Sequence, residues 1–230
     1  MSRTNTTSIL EKPLGRNTNR VLGGGGSNDG TVSLSAFSYL YSELVQYHQG
    51  RCASISELER RLESSGYGVG LKVLEMHAYR SKESKREIRL MGILQFISSS
   101  VWKSLFGKAA DSLERSIDHE DEYMIVDYDP ITSVYASVPP DLGSLSADAY
   151  LGGIIAGVLD GAGFGARVTA HGVTIEEGEN SNHSNHGGGS GGGGRFMSSN
   201  NLGLPPRKTK AVFLVKFDKE VLDRDSSLDR

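Results

Sequence analysis

The stretch Val101-Trp102-Lys103-Ser104-Leu105-Phe106-Gly107-Lys108-Ala109-Ala110-Asp111-Ser112-Leu113-Glu114 holds the only tryptophan of the chain. It also ends the longest apolar run, from about Glu87 to Phe106, at a glycine. A helix that is apolar round most of its circumference is buried on several sides, and a glycine just past the last apolar residue is a stop signal. The stretch contains no histidine, no cysteine and no phosphate-gripping glycine pattern. It reads as a surface that packs, which points to assembly rather than chemistry.

Toward the N-terminus the chain is helical. Leu34, Phe37, Leu40, Tyr41, Leu44, Val45 and His48 recur at spacings of three and four, one face of a helix, with Ser33 or Ser35 as its cap. Ser54-Ile55-Ser56-Glu57 has capping-box spacing. The helix it opens carries Leu58 and Leu62 and is predicted to stop at Gly66. A third helix is expected over Val69–Tyr79, with the Gly66, Gly68 and Gly70 group as the connection.

Toward the C-terminus the pattern changes. Tyr123–Tyr128 is a strand by residue type, punctuated by Asp129-Pro130. Ile131–Val138 is rich in β-branched residues and is read as strand-like, stopping at Pro139-Pro140. Leu145–Asp160 returns to helix, with Ser144 or Ser146 as cap and Gly161 as stop. Ala166–His171 and Ala211–Phe217 are two further strands, expected to pair antiparallel. This order of helices, strands, helix and strands predicts an α+β domain rather than a doubly wound sheet.

The chain has 230 residues. Residues 1–31 form a polar tail and residues 176–207 a Gly/Ser/Asn/His-rich insert. Neither can bury enough apolar surface to offset its ordering entropy, so both are expected to be disordered. One domain is expected over 32–228. A net charge of -3 gives no general pull toward nucleic acid or anionic lipid. The single cysteine, Cys52, forms no internal disulfide and fits a reducing compartment. Met1–Asn19 lacks the apolar core of a secretory signal, and no window holds the roughly 18 apolar residues a membrane helix needs. A soluble cytosolic protein is the expectation.

No constellation of catalytic residues emerges. Gly161-Ala162-Gly163-Phe164-Gly165 follows a helix and precedes a strand, the reverse of a dinucleotide fingerprint, so it reads as a tight turn. His183 and His186 sit among Asn, Ser and Gly with no helix to align them on a metal. His119, among Asp118, Glu120, Asp121 and Glu122, reads as a solvated turn rather than an acid/base cluster. Arg80, Lys82, Lys85, Arg86 and Arg89 read as a solvated helix connection rather than a lipid or acidic-partner contact. Gly153 and Gly157 have the small-x-x-x-small spacing of closely packed helices, on the sheet or on a second protein. Cys52 has no visible histidine partner. No catalytic, cofactor-binding or metal-binding residue is assigned, and no cofactor is expected.

Several blocks, in order, resemble the small subunits of the trafficking protein particle (TRAPP) tethering complex. They are Ser33–Phe37 with Ser42–Gln46, Glu57–Glu59 with Leu62, Val101–Lys103 with Leu105–Lys108, and Ala110-Asp111 with Leu113-Glu114. Ser137–Pro139, Val168–His171 and Val215–Phe217 complete the set, over about 32–175 and 211–228. The resemblance implies an α+β fold with helices packed on a small antiparallel sheet, in a noncatalytic core subunit that bridges paralogous small subunits. It further implies an assembly that tethers vesicles in ER-to-Golgi and Golgi traffic and exchanges nucleotide on a Rab GTPase. A cytoplasmic location, peripheral at cis-Golgi and endoplasmic reticulum with contact to Golgi or vesicle membrane, follows from the same resemblance. Nucleic acid is not an expected partner. Some paralogues carry an acyl chain on a buried cysteine, but Cys52 is not placed on that position. The alternative reading is a small-ligand or acyl-chain-binding module, with a hydrolase or transferase third. Apolar helix faces beyond what one core can cover favour an assembly subunit, and the first and fourth helices are expected to supply them.

Overall fold

A computed structural model describes residues 21–22, 32–80, 86–133, 138, 142–143, 145–175 and 209–228. The predicted insert and most of the predicted tail, with His183 and His186, lie outside them. Two short strands, β1 (Val21–Leu22) and β2 (Val32–Ser33), pair antiparallel and lead into helix α1 (Leu34–Gln49). Ser33 caps α1: its hydroxyl accepts the Ala36 N–H at 3.2 Å, satisfying an otherwise orphaned donor. Helix α2 (Ile55–Arg80) starts at the predicted box. Ser54 Oγ accepts the Glu57 N–H at 3.2 Å, and the Glu57 carboxylate reaches back to the Ala53 N–H at 3.2 Å.

A single rod follows, made of α3 (Leu90–Gln95), a π-helical turn over Phe96–Val101, and α4 (Trp102–Phe106). Then come β3 (Ser112–Arg115), β4 (Glu122–Asp127), a 3-10 turn over Ile131–Ser133, and α5 (Ala149–Gly161). Strands β5 (Ala166–Thr174) and β6 (Thr209–Phe217) and a last helix α6 (Lys219–Ser227) complete the order. The four-stranded sheet is antiparallel throughout, in the order β3-β4-β6-β5. The expected pairing of the last two strands is present, from Ala166 opposite Phe217 to Thr174 opposite Thr209.

Several expectations need correction. Helix α2 does not stop at Gly66 but runs through all three glycines to Arg80. Gly66 and Gly70 face α5, where a Cβ would drive into the carbonyl oxygens of Tyr150 and Ile154. Gly153 and Gly157 of α5 meet the Glu63 and Tyr67 carbonyls in the same way. Two Gly-x-x-x-Gly faces interlock, so these glycines serve backbone approach, not chain reversal. The close packing expected of Gly153 and Gly157 is therefore made against α2 of the same chain, while Gly152 faces Val168 and Ala170 of the sheet.

The rod begins at Leu90 rather than near Glu87, because Arg89 is extended (φ -94°, ψ 143°) and the Asp225 carboxylate takes the Leu90 N–H at 2.9 Å. Its π turn coincides with Ser98 and Ser99, whose hydroxyls donate back to the Gln95 carbonyl at 3.3 and 2.5 Å. Hydroxyls bonded to an earlier turn commonly distort a helix. The rod ends as expected at Gly107, in left-handed backbone with φ 73°. Ile131–Ser133 is a 3-10 turn, not a strand; the Ser133 N–H bonds back to the Pro130 carbonyl at 3.1 Å. Helix α5 starts at Ala149 rather than Leu145, after a turn in which the Ala149 N–H bonds to the Ser146 carbonyl at 3.2 Å and the Asp148 carboxylate accepts the Thr132 and Ser133 hydroxyls.

The core lies between the sheet, the rod and α5. Ala211, Phe213, Val215 and Phe217 alternate inward along β6 to meet Ile97, Val101, Trp102, Phe106, Ile155 and Val158 in one cluster.

Candidate assembly surface

The rod's tryptophan answers the first question of function. Trp102 is fully buried, edge-on to Phe106 and Phe213 at centroid distances of 4.9 and 5.6 Å. Its Nε1–H donates to Asp127 at 3.0 Å, and Lys108 binds the other oxygen of that carboxylate. The block that reads as a packing surface packs inward.

Helix α1 presents an exposed apolar face. Its inner face is anchored by Leu34 and by Tyr41, whose hydroxyl donates to the Ala147 carbonyl and whose ring stacks on Phe37 at 5.9 Å. Burial raises the Tyr41 phenol far above its usual range, with the Asp148 charge adding to it. On the opposite face Tyr39, Leu40 and Tyr47 are 79%, 72% and 52% exposed. At 100° per residue these three fall on one stripe together with Ala36 and Glu43. Arg51 stacks its guanidinium on the Tyr47 ring at 3.7 Å and donates to the Tyr47 carbonyl at 2.9 Å, holding that ring against the helix. Sequence periodicity singled out the inner face and placed Leu40 on it; the available signal for the outer face was Tyr39 and Tyr47, apolar rings off the three-four stripe.

The fourth helix, the rod, keeps little excess. Met91 is exposed near its start, with Ile88 just before it, and the rest of its apolar residues enter the core. The basic run next to it has a local task. Arg89 donates to the Asp225 and Leu228 carbonyls at the end of α6, at 3.3 and 2.8 Å, and Arg86 to the Ala162 carbonyl at 3.3 Å. Cations placed on the last carbonyls of a helix stabilise its end. Lys82 and Lys85 lie outside the described residues.

Among the described residues the polar clusters do not assemble a reaction centre. His119, Asp121 and Glu122 bring ligand atoms within 4.8 Å of one another. Lys216 neutralises that pair of carboxylates, 3.4 Å from Asp121 and 2.9 Å from Glu122. His48 Nε2 lies 3.1 Å from Ser65 Oγ, the spacing of a base and a nucleophile. The Ser65 hydroxyl, however, donates to the Arg61 carbonyl at 2.9 Å. Its one proton is thus committed to the helix, and His48 is the donor of the pair. Cys52 is half-buried and free. The Gly161–Gly165 segment is the expected turn, with Gly163 at φ 81°. Among the described residues no helix is long and apolar enough to cross a membrane.

A family model described as Transport protein particle (TRAPP) component matches residues 37–186. The chain belongs to the TRAPP component family. It is 42% identical over 219 residues to trafficking protein particle complex subunit 5 of Dictyostelium discoideum, covering 95% of this chain and 97% of that relative. It is 44% identical over 140 residues to the Homo sapiens subunit 5, covering 61% of this chain and 74% of that one. A subunit 31 from Saccharomyces cerevisiae is 23% identical over 255 residues. Among solved structures, a TRAPP subunit 3 from Naegleria fowleri covalently bound to palmitic acid superposes with a TM-score of 0.58 at 17% identity. That superposition covers 81% of this chain and 95% of the other, and it supports the α+β TRAPP fold of helices on a small antiparallel sheet.

Proposed function

We propose that this TRAPP-family chain is a noncatalytic subunit of a multisubunit TRAPP complex, and that it bridges paralogous small subunits through the outer face of α1. The observation that carries this reading is the stripe of Tyr39, Leu40 and Tyr47, large apolar side chains exposed on a helix whose opposite face is fixed to the core. Burying each against a partner is worth about 1.5–3 kcal/mol, and aromatic anchors of this kind carry most of the energy of an interface. The Dictyostelium discoideum relative, matched over 97% of its length, is named as a subunit of a trafficking protein particle complex, which supports the same role.

In this reading the complex, rather than the isolated chain, tethers vesicles in ER-to-Golgi and Golgi traffic and promotes nucleotide exchange on a Rab GTPase. The chain works in the cytoplasm, peripheral at cis-Golgi and endoplasmic reticulum. Its contact with Golgi or vesicle membrane is made as part of the assembly. Pull-down of the tagged chain from its own cells, with its stoichiometric partners identified, tests this. Recovery of paralogous TRAPP subunits is the expected result. A soluble monomer with no such partner would refute the role.

The palmitic acid in the Naegleria fowleri structure belongs to that protein.

A further inference from the structure

The sheet has two edges, β3 and β5, and the backbone of β5 can be oriented group by group. The Phe217 N–H donates to the Asp121 carbonyl on the β4 side at 2.9 Å. The next N–H, that of Asp218, donates to the Gly165 carbonyl at 2.9 Å. Backbone groups alternate from one side of a strand to the other, and the register sets Arg167 opposite Lys216. Arg167, Thr169, His171 and Val173 therefore turn their N–H and C=O groups toward β6. Val168, Ala170 and Gly172 turn theirs outward. Among the described residues no strand pairs with that outer edge.

The edge opens on a cleft of about 1170 Å³. Residues Val168 to Gly172 border it in unbroken succession. A cavity lying over one face of a strand is bordered by alternate residues, so this cleft runs along the edge. Its far wall is the C-terminal half of α1, with Val45 and Gln49, and the α2 residues Glu59 and Glu63. Natural edge strands are blunted by lysine, proline or a bulge. β5 has neither proline nor lysine, and its one cationic side chain, Arg167, sits at its start.

The described lining of the cleft carries formal charge of one sign. It holds the carboxylates of Glu59, Glu63 and Asp148 and no lysine or arginine, with His171 the sole basic group. Glu59 accepts the Ser146 N–H at 2.7 Å, and Asp148 accepts the Thr132 and Ser133 hydroxyls. Glu63 has Arg167 within electrostatic reach but makes no hydrogen bond to a described residue. Burial raises its carboxyl, and Arg167 only partly offsets this. A half-buried carboxylate in that position gains from a cation delivered into the cleft.

We propose that this cleft receives an extended, lysine- or arginine-bearing segment of a partner protein, added as a fifth strand on the outer edge of β5 and paired in charge with Glu63. The outward groups of Val168, Ala170 and Gly172 supply main-chain pairing, and the carboxylate wall selects a cationic sequence, as in other strand-addition complexes. The proposal does not rest on the α1 interface, whose exposed stripe lies on a different face of that helix.

Fluorescence anisotropy on the purified full chain tests it, with a short labelled peptide alternating threonine and lysine as probe. Saturable binding is expected, together with a loss of about tenfold or more on N-methylation of alternate peptide amides. A threonine–glutamate peptide should not bind. Gly172→Pro removes one outward N–H at a position where an added Cβ meets nothing within 4 Å. It should weaken binding about fivefold or more at unchanged Tm. Glu63→Gln should weaken the lysine peptide while sparing a threonine–serine peptide. Equal binding of the N-methylated peptide, or indifference to both variants, would overturn the proposal. So would binding that appears only after residues 1–20 are deleted, because the chain's own N-terminal segment would then be the occupant.

Discussion

The Trp102 indole N–H and the Asp127 carboxylate meet at 3.0 Å in the core, joining the end of the helical rod to the end of β4. Asp127 also accepts the Asp129 N–H at 3.0 Å and binds Lys108, which lies 3.6 Å from Asp111. A buried carboxylate is tolerable only with such partners. Trp102→Ala removes both the ring and one of those partners, so it should cost about 3–5 kcal/mol of fold stability. Urea denaturation measures this. A variant of normal stability that merely left a complex would place Trp102 at an interface, contrary to its burial.

The same pair sets a pH dependence. Burial pushes the Asp127 carboxyl upward, but Lys108, the Trp102 N–H and the Asp129 N–H together hold it below the usual aspartate value of 3.8. A folded-state value below the unfolded one means that this stabilisation is complete above pH 3.8 and is lost as pH falls below it, through the folded value. Asp111 has the opposite shift, raised by burial against the pull of Lys108, so the Asp127 contribution needs its own variant. Asp127→Asn should lower the urea midpoint at neutral pH and flatten its decline toward about pH 3. Parallel declines in wild type and variant would contradict the assignment.

Glycines within one helix offer a controlled contrast. Gly66→Ala and Gly70→Ala force a methyl into the α5 backbone and should destabilise by at least about 1–3 kcal/mol. Gly68→Ala, two residues away, meets nothing within 4 Å and should stabilise by about 0.5–1 kcal/mol through helix propensity alone. Thermal unfolding of the three variants should show opposite signs. A common sign would mean that the crossing does not depend on the bare backbone.

Replacing residues 178–206 by a short turn should leave the sheet intact, because the β5–β6 register already closes at Thr174 opposite Thr209. Shortening the connection should stabilise by about 1–2 kcal/mol from loop-closure entropy. Circular dichroism and Tm check this. A loss of folding would show that the tract contributes contacts of its own.

How far the fold could be read from sequence varied with the range of the forces involved. Local signals were sound: the Ser33 cap, the Ser54–Glu57 box and the Gly107 stop all depend on residues within one turn. The β-branched runs of β4, β5 and β6 also told their own story. Gly66 misled because its role is set by a helix more than eighty positions away, and no local rule separates a stop glycine from a contact glycine. Ile131–Val138 looked like a strand by propensity, yet over Ile131–Ser133 the buried Thr132–Asp148 bond and the Pro130 turn prevailed. β3 and α6 were missed because Ser112–Arg115 is too short and polar to signal a strand, and α6 is mostly charged. For the candidate surface, sequence found the buried half of α1 but assigned Leu40 to it, since which side of a broad apolar helix faces the core is decided by the elements packed against it.

The bridging role is tested most directly by co-expressing the chain with paralogous TRAPP subunits and measuring co-purification of wild type against a Tyr39→Asp, Leu40→Asp, Tyr47→Asp triple variant. Wild type should recover a paralogue at stoichiometric level, while the variant keeps the wild-type Tm within a few degrees and loses at least about tenfold of its partner. Undiminished recovery by the variant would contradict docking through α1, and failure of the wild type to bind any paralogue would contradict the role itself.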